Sequence, residues 1–202
     1  MKYYPIHIDI KNKPCLVVGG GRVAERKVMK LSKAGAAITV ISKELTPVLT
    51  KLMQESNMIF LQRHYQHDDV KGFFLVFATT NNPEVNRKVC DEAQQANVLV
   101  NSLNGVDEGD FILPASCSVG DLHVGVTTQG QSPVLSTKLR RYFQNKLSTL
   151  TTEDIEKVAL LRNEMLSVDD AVQKDIKCDE MNALVDSLIA SIEAYDVNLN
   201  EL

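Results

Sequence analysis

Short apolar runs and amphipathic stripes alternate along the first hundred residues. Cys15 to Val18 is a continuous apolar run; beyond three glycines, Val23, Ala24, Lys27, Val28 and Leu31 recur at helical spacing. That spacing predicts a first strand and then a helix over 22–34, closed by Ala34-Gly35. Ala37 to Ile41 predicts a second strand, Leu45 to Ser56 a helix with Pro47 in its first turn, and Met58 to Leu61 a third strand. Phe73 to Ala78 is a fully apolar fourth strand; Pro83 opens a helix over 83–96, and Val98 to Asn101 reads as a fifth strand. Ahead of them, Tyr3 to Asp9 alternates weakly, as a short edge strand or a lead-in. This alternation predicts an α/β fold with a Rossmann-like parallel sheet and right-handed crossovers.

From Asn104 the pattern changes. Asp110 to Ala115 and Leu122 to Thr127 flank the turn Val119-Gly-Asp121, which predicts an antiparallel hairpin. Ser132-Pro133 is a cap followed by a first-turn proline and starts a helix over 133–147. Helical periodicity returns in Ile155, Val158, Leu161 and Leu166, and again in Leu184, Leu188 and Ile192, as in a small helical bundle. No repeat or low-complexity linker interrupts the chain.

Composition narrows the function classes. With 202 residues and 44% apolar content the chain can bury a sizeable core. No window approaches a membrane span, and the opening residues lack the long apolar stretch of a secretory leader, so a cytoplasmic protein without a membrane partner is expected. Cys15, Cys90, Cys117 and Cys178 form no CxxC pair and read as free thiols in a reducing compartment. The net charge of −4 hides an asymmetry: residues 1–149 hold 18 basic and 13 acidic side chains, and residues 150–202 hold 4 and 13. The acidic tail argues against nucleic acid, while the basic part suits a small anion.

The candidate chemistry centres on Gly19-x-Gly21-x-x-Ala24, which fits the dinucleotide fingerprint. Gly19 permits the tight turn, Gly21 lets the backbone approach a pyrophosphate, and Ala24 lets strand and helix pack closely. The first helical N–H groups, at Arg22 and Val23, then face the phosphates at the positive end of the helix dipole. The second strand ends in Ser42 and Lys43 where an NAD site commonly has an acid, so Ser42 suits a ribose hydroxyl and Lys43 a phosphorylated ribose, and NAD against NADP stays open. Thr79 and Thr80, at the carboxyl edge of the fourth strand, are candidate cofactor contacts. His64 and His67 stand three apart in a polar stretch and read as a solvated turn, with no metal site expected. Helix 133–147 carries Lys138, Arg140, Arg141 and Lys146 and no acid: an exposed basic face, or a cradle for carboxylates.

Four motifs together carry a family resemblance: Val17-Val-Gly-Gly-Gly-Arg-Val-Ala-Glu-Arg-Lys27, Phe77-Ala-Thr-Thr-Asn81, Phe111-Ile-Leu-Pro114 and Gly130-Gln-Ser-Pro-Val-Leu135. In this order and separation they resemble the precorrin-2 dehydrogenases of sirohaem biosynthesis, including the amino-terminal module of trifunctional sirohaem synthase. The resemblance is close over residues 1–150, and with no methyltransferase module following, it is to the stand-alone forms. It implies NAD-dependent oxidation of precorrin-2 to sirohydrochlorin by a cytoplasmic homodimer. Its parts would be an NAD-binding domain over 1–111, a dimerisation segment over 112–149 and a helical domain over 150–202. Some members also insert ferrous iron; a non-catalytic nucleotide- or tetrapyrrole-binding module is the remaining alternative.

The tetrapyrrole is a polyanion, which suits Lys138 and Arg141 as substrate contacts, and Thr128 stands where relatives carry a serine. One departure concerns the acid. Many members read Asn-x-x-Asp after the last parallel strand, and here the run is Asn101-Ser-Leu-Asn104. Asn104 cannot serve as a base, so Asp107, Glu108 and Asp110 in the same loop become the candidate proton acceptors. The loss of the aspartate weighs more against iron insertion than against hydride transfer.

Overall fold

The apolar run near the start of the chain becomes the middle of a sheet. In the computed structural model, which describes residues 3–105 and 107–196, β1 (Pro14–Val18) buries its last four side chains. It pairs in parallel with β2 (Ala37–Ser42) on one side and β4 (Leu75–Ala78) on the other. β3 (Ile59–Gln62) extends the sheet beyond β2, and β5 (Leu99–Ser102) extends it beyond β4, both parallel. The order is β3-β2-β1-β4-β5. Successive strand side chains point to opposite faces. Cys15 and Val17 therefore pack with Ala24, Val28 and Leu31 of α1 (Arg22–Lys33) and Leu49 of α2 (Pro47–Gln54). Leu16 and Val18 pack with Val89, Cys90 and Ala93 of α3 (Pro83–Gln95). Cover on both faces is why β1 and β4 are apolar without alternation.

The helix starts follow one rule. Asn82 accepts from the Glu84 and Val85 amides ahead of Pro83, and Thr46 accepts from the Leu49 amide ahead of Pro47. The predicted helix at Leu45 consequently begins two residues later. α1 is the exception, with Gly21 at its N-cap and no side chain capping it.

Residues 3–9 are the lead-in rather than an edge strand: Tyr4, Ile6 and Ile8 are 82%, 63% and 40% exposed, so their alternation buries no face. One expectation fails for an identifiable reason. The hairpin's first strand is β6 (Ala115–Val119), not Asp110 to Ala115. Asp110 is already committed to the sheet: its amide donates to the Val100 carbonyl at 2.8 Å, and its carboxylate accepts from the Val100 amide at 3.0 Å. One residue thus satisfies both backbone groups of Val100 on the open edge of β5.

The chain divides after Ile112 into a second unit from Leu113. There β6 pairs antiparallel with β7 (Leu122–Val126), with Cys117 opposite Val124. α4 (Pro133–Lys146) packs on the hairpin, capped by Ser132 as its sequence predicts. A 3-10 turn (Leu147–Thr149) leads to α5 (Thr152–Ser167) and α6 (Ala171–Ala194), which pack on each other. Thr151 and Asp154 close a capping box at the start of α5.

Candidate functional site

In the parallel sheet the chain leaves β1 outward to β2 and β3, then returns to β4 and β5 on the other side. Ligands of such sheets bind outside the carboxyl ends of the strands where the order reverses. A cleft of about 690 Å³ opens at that place, between the ends of β1, β2 and β4. It gathers Gly19, Gly21, Arg22, Val23, Ser42, Lys43, Thr79 and Thr80 from three separate turns.

Hydrogen bonds fix the floor of the cleft. The Gly19 amide donates to the Ile41 carbonyl at 2.8 Å, and the Thr79 amide and hydroxyl both donate to the Val18 carbonyl at 2.9 Å. The Thr79 hydroxyl is therefore spent within the fold. The Ser42 hydroxyl likewise donates to the Glu44 carbonyl at 2.7 Å. Gly19 has φ of +120°, and a Cβ there would lie 2.7 Å from the Thr79 carbonyl oxygen. At Gly21 a Cβ would meet nothing within 4 Å, since that side is open cleft. With no side-chain cap, the first amides of α1 are left to a ligand, and an anion fits them.

Sequence reasoning passed over three residues that build this turn. A Cβ on Gly20 would lie 1.9 Å from the Glu44 carbonyl oxygen, so the middle glycine is the most constrained of the three. Its own carbonyl accepts from the Thr46 amide at 3.0 Å. The Thr46 hydroxyl caps α2 and donates to the Glu25 carboxylate at 2.5 Å, tying the glycine turn to α1 and α2 together. The Thr-Pro pair at 46–47 was the available signal for this residue.

Asn104 and Glu108, which are not among the residues lining the cleft, come together beside α3. The Asn104 amide donates to Glu108 Oε2 at 2.7 Å and to the Pro83 carbonyl at 2.9 Å. The Ser102 hydroxyl adds a second donor to Glu108 at 3.1 Å, and Arg87 lies 3.4 Å from its other oxygen. Asp107 precedes Glu108 in the same loop, and Asp110 is the edge clamp already described.

On the α1 face Lys27 reaches Asn101 Oδ1 at 3.0 Å, over the Phe77 ring. The Asn101 amide in turn donates to the Phe111 carbonyl at 2.8 Å, and Phe111 meets Phe77 edge to face. Burial, then the charges of Lys30 and Arg26, lower the Lys27 ammonium to about 8. Cys15 and Cys90 are pushed up to about 11 by burial and remain neutral thiols. His67 lies in an exposed turn as expected, its side chain 72% exposed, and sits 3.0 Å from Glu92, which also accepts from the Tyr65 hydroxyl at 2.6 Å. No group of three metal-ligating side chains occurs among the described residues.

The remaining candidates lie in the second unit. Thr128 accepts from the Ser132 amide at 2.9 Å and lies 3.2 Å from the Ser136 hydroxyl, locking its loop to the start of α4. Lys138 and Arg141 are exposed on α4. Lys146 leaves the supposed cradle: its ammonium donates to the Ile192 and Glu193 carbonyls at 3.1 and 3.2 Å, capping the end of α6.

A doubly wound sheet, a bare glycine turn at its point of reversal and an uncapped helix N-terminus together define a dinucleotide-binding α/β protein. An NAD(P)-binding family model matches residues 6–115, and the chain belongs to that family. Among curated relatives, the siroheme synthase of Vesicomyosocius okutanii is 37% identical over 147 residues, which are 73% of this chain and 32% of that one. The siroheme synthase of Methylobacillus flagellatus is 41% identical over 140 residues, 69% and 30% of the two chains. The chain thus spans about a third of the length of the curated relatives it matches. A solved structure, "SirC, precorrin-2 dehydrogenase", shares the fold with a TM-score of 0.74 at 22% identity, over 96% of this chain and all of that one. No helix among the described residues is long and apolar enough to cross a membrane.

Proposed function

We propose that this protein oxidises precorrin-2 to sirohydrochlorin, with NAD+ as hydride acceptor. The observation that carries this reading is the open side of Gly21 above the uncapped α1, in a chain aligned with siroheme synthases. The bound nicotinamide supplies the hydride acceptor. The protein's part is placement: the amides at Arg22 and Val23 receive the diphosphate, and the rim at Ser42 and Lys43 receives the adenine ribose. Thr80 supports the other end of the cofactor at the rim, and Thr79, bonded to the Val18 carbonyl, holds the floor beneath it. Glu108, held by Asn104 and Ser102, is the carboxylate we assign to accept the proton. Thr128, Lys138 and Arg141 are assigned to the substrate's carboxylates. Purified protein mixed with precorrin-2 and NAD+ should accumulate NADH over many turnovers. Tight precorrin-2 binding without NADH would replace this reading with a carrier.

We further infer a homodimer joined through residues 112–149. Leu135, Leu139 and Phe143 recur every four residues on α4 and are 48%, 37% and 37% exposed. Such a stripe is the seam that a second copy covers. The four free cysteines fit a cytoplasmic location. Sedimentation equilibrium should give twice the chain mass, and Leu139→Arg should give one chain mass; a monomeric wild type would remove the dimer.

A further inference from the structure

α3 carries one polar side chain with no contact to solvent, and neither the cofactor fingerprint nor the candidate acids account for it. Asn86 is 1% exposed, among Val89, Cys90 and Ala93 on the buried side of its helix. An amide side chain has two acceptor positions and two donors, and Asn86 uses all four. Its oxygen accepts from the Thr80 amide at 2.9 Å and from the Thr80 hydroxyl at 2.7 Å. Its nitrogen donates to the Thr80 carbonyl at 2.9 Å and to Asn104 Oδ1 at 2.9 Å. Three of these bonds close on Thr80, the cleft residue that follows β4. The fourth fixes which way the Asn104 amide points, because an Asn104 oxygen held by Asn86 turns the Asn104 nitrogen toward Glu108 and the Pro83 carbonyl.

We propose that Asn86 is a positioning residue that sets the cofactor-side rim at Thr80 and the Asn104–Glu108 pair in register with one another. This rests on the assignment of the cleft to the dinucleotide and of Glu108 to the proton. A helix cap would not need it, since Asn82 already caps α3. A residue serving packing alone would be apolar, as burying an amide is favourable only where every bond is made. The arrangement also accounts for an amide at position 104, which both accepts from Asn86 and donates to Glu108. A carboxylate there could accept but not donate, and would repel Glu108.

The experiment compares the wild type with Asn86→Ala, Asn86→Asp, Asn104→Ala, the Asn86→Ala/Asn104→Ala double variant and Val89→Ala. The last is a packing control from the buried face of the same helix. Each is measured for thermal stability without cofactor, for NADH affinity by fluorescence titration, and for kcat and KM with precorrin-2. Asn86→Ala should weaken NADH binding about tenfold, because Thr80 is released, and lower kcat about a hundredfold. Asn104→Ala should leave NADH affinity within about threefold while lowering kcat about tenfold or more. The double variant should be no slower than Asn86→Ala, since both act through one set of bonds. Asn86→Asp has at most one donor where the amide has two, so it should fall between the wild type and Asn86→Ala. It carries the test if Asn86→Ala does not fold. Val89→Ala should lose stability without change in NADH affinity or kcat. The proposal is overturned if Asn86 variants bind NADH and turn over like the packing control, or if the two alanine effects multiply. A wild type that binds NADH but oxidises no precorrin-2 would instead count against the proposed reaction, leaving the Thr80 arm to be decided by affinity alone.

Discussion

Alanine at Gly20 should abolish both the fold of the glycine turn and dinucleotide binding, whereas alanine at Gly21 should leave the fold intact and remove binding alone. The two positions are adjacent and the added group is the same methyl, so the contrast isolates what each glycine does. At Gly20 the methyl carbon would sit 1.9 Å from the Glu44 carbonyl oxygen and 2.7 Å from the Ser42 hydroxyl oxygen. Neither can withdraw cheaply, because the two are bonded to each other and the Gly20 carbonyl is held by the Thr46 amide. Overpacking against backbone of this kind costs about 3 kcal/mol or more. At Gly21 φ is −84°, which alanine adopts freely, and no atom lies within 4 Å of the new carbon. The gain of about 0.5 kcal/mol through the unfolded chain is offset by alanine's poorer fit at the N-cap of α1, so the net change in stability should stay within about 1 kcal/mol. The methyl would nevertheless project into the space assigned to the diphosphate, and NADH affinity should drop about tenfold to a hundredfold. Urea unfolding and NADH titration of both variants decide the matter. Gly21→Ala binding NADH like the wild type would mean that no diphosphate approaches that backbone.

The same pair shows what the sequence could and could not convey. The fingerprint names the first and last glycines of the turn because ligand approach and tight turning leave a spacing. Gly20 is fixed by the Glu44 carbonyl, which β2 brings back from the neighbouring strand, and no local pattern records that. Strands and helices were legible wherever burial on both faces or a cap followed by proline left a mark, as at Cys15 to Val18, Asn82-Pro83 and Ser132-Pro133. The hairpin's turn and second strand fall where expected, but its first strand was misplaced because Asp110 looks like the approach to a strand, while its bonds go to Val100 across the open sheet edge. Asn86 reads as one more polar position on an amphipathic helix, and its partners Thr80 and Asn104 converge on it only once α3 is laid against the sheet. Lys146 was counted with a basic face, yet it serves carbonyls about fifty residues away in sequence. Pattern reports what each element buries; it does not report which distant polar group meets which.

Lys27 is the clearest instance of that limit, and it predicts a pH dependence of stability. It falls among the apolar positions of α1 in the helical pattern, and its ammonium lies half-buried between Asn101 and the Phe77 ring with no carboxylate partner shown. Burial lowers it from the ordinary lysine value of 10.5 to about 8. Between about pH 8 and 10.5 the unfolded chain therefore holds a proton that the folded chain has released, and stability rises with pH across that window. Below it both states are charged, and the folded state bears the cost of a poorly solvated ammonium. A shift of this size corresponds to about 3 kcal/mol for a group sealed from water, and roughly half of that for a half-buried one. Cys15 and Cys90 act in the opposite sense above about pH 9, since their thiols stay protonated longer in the folded state. The measurement is therefore a difference. Unfolding free energies of the wild type and Lys27→Met, taken from urea titrations at pH 7, 8, 9 and 10, share the cysteine contribution and differ in the lysine. The wild type should gain on Lys27→Met by about 1–2 kcal/mol from the lowest pH to the highest, whatever the loss of the Asn101 bond does to the starting offset. A flat difference would mean that the ammonium is solvated as well in the folded chain as in the unfolded one, and that α1 does not press it against β4 and β5.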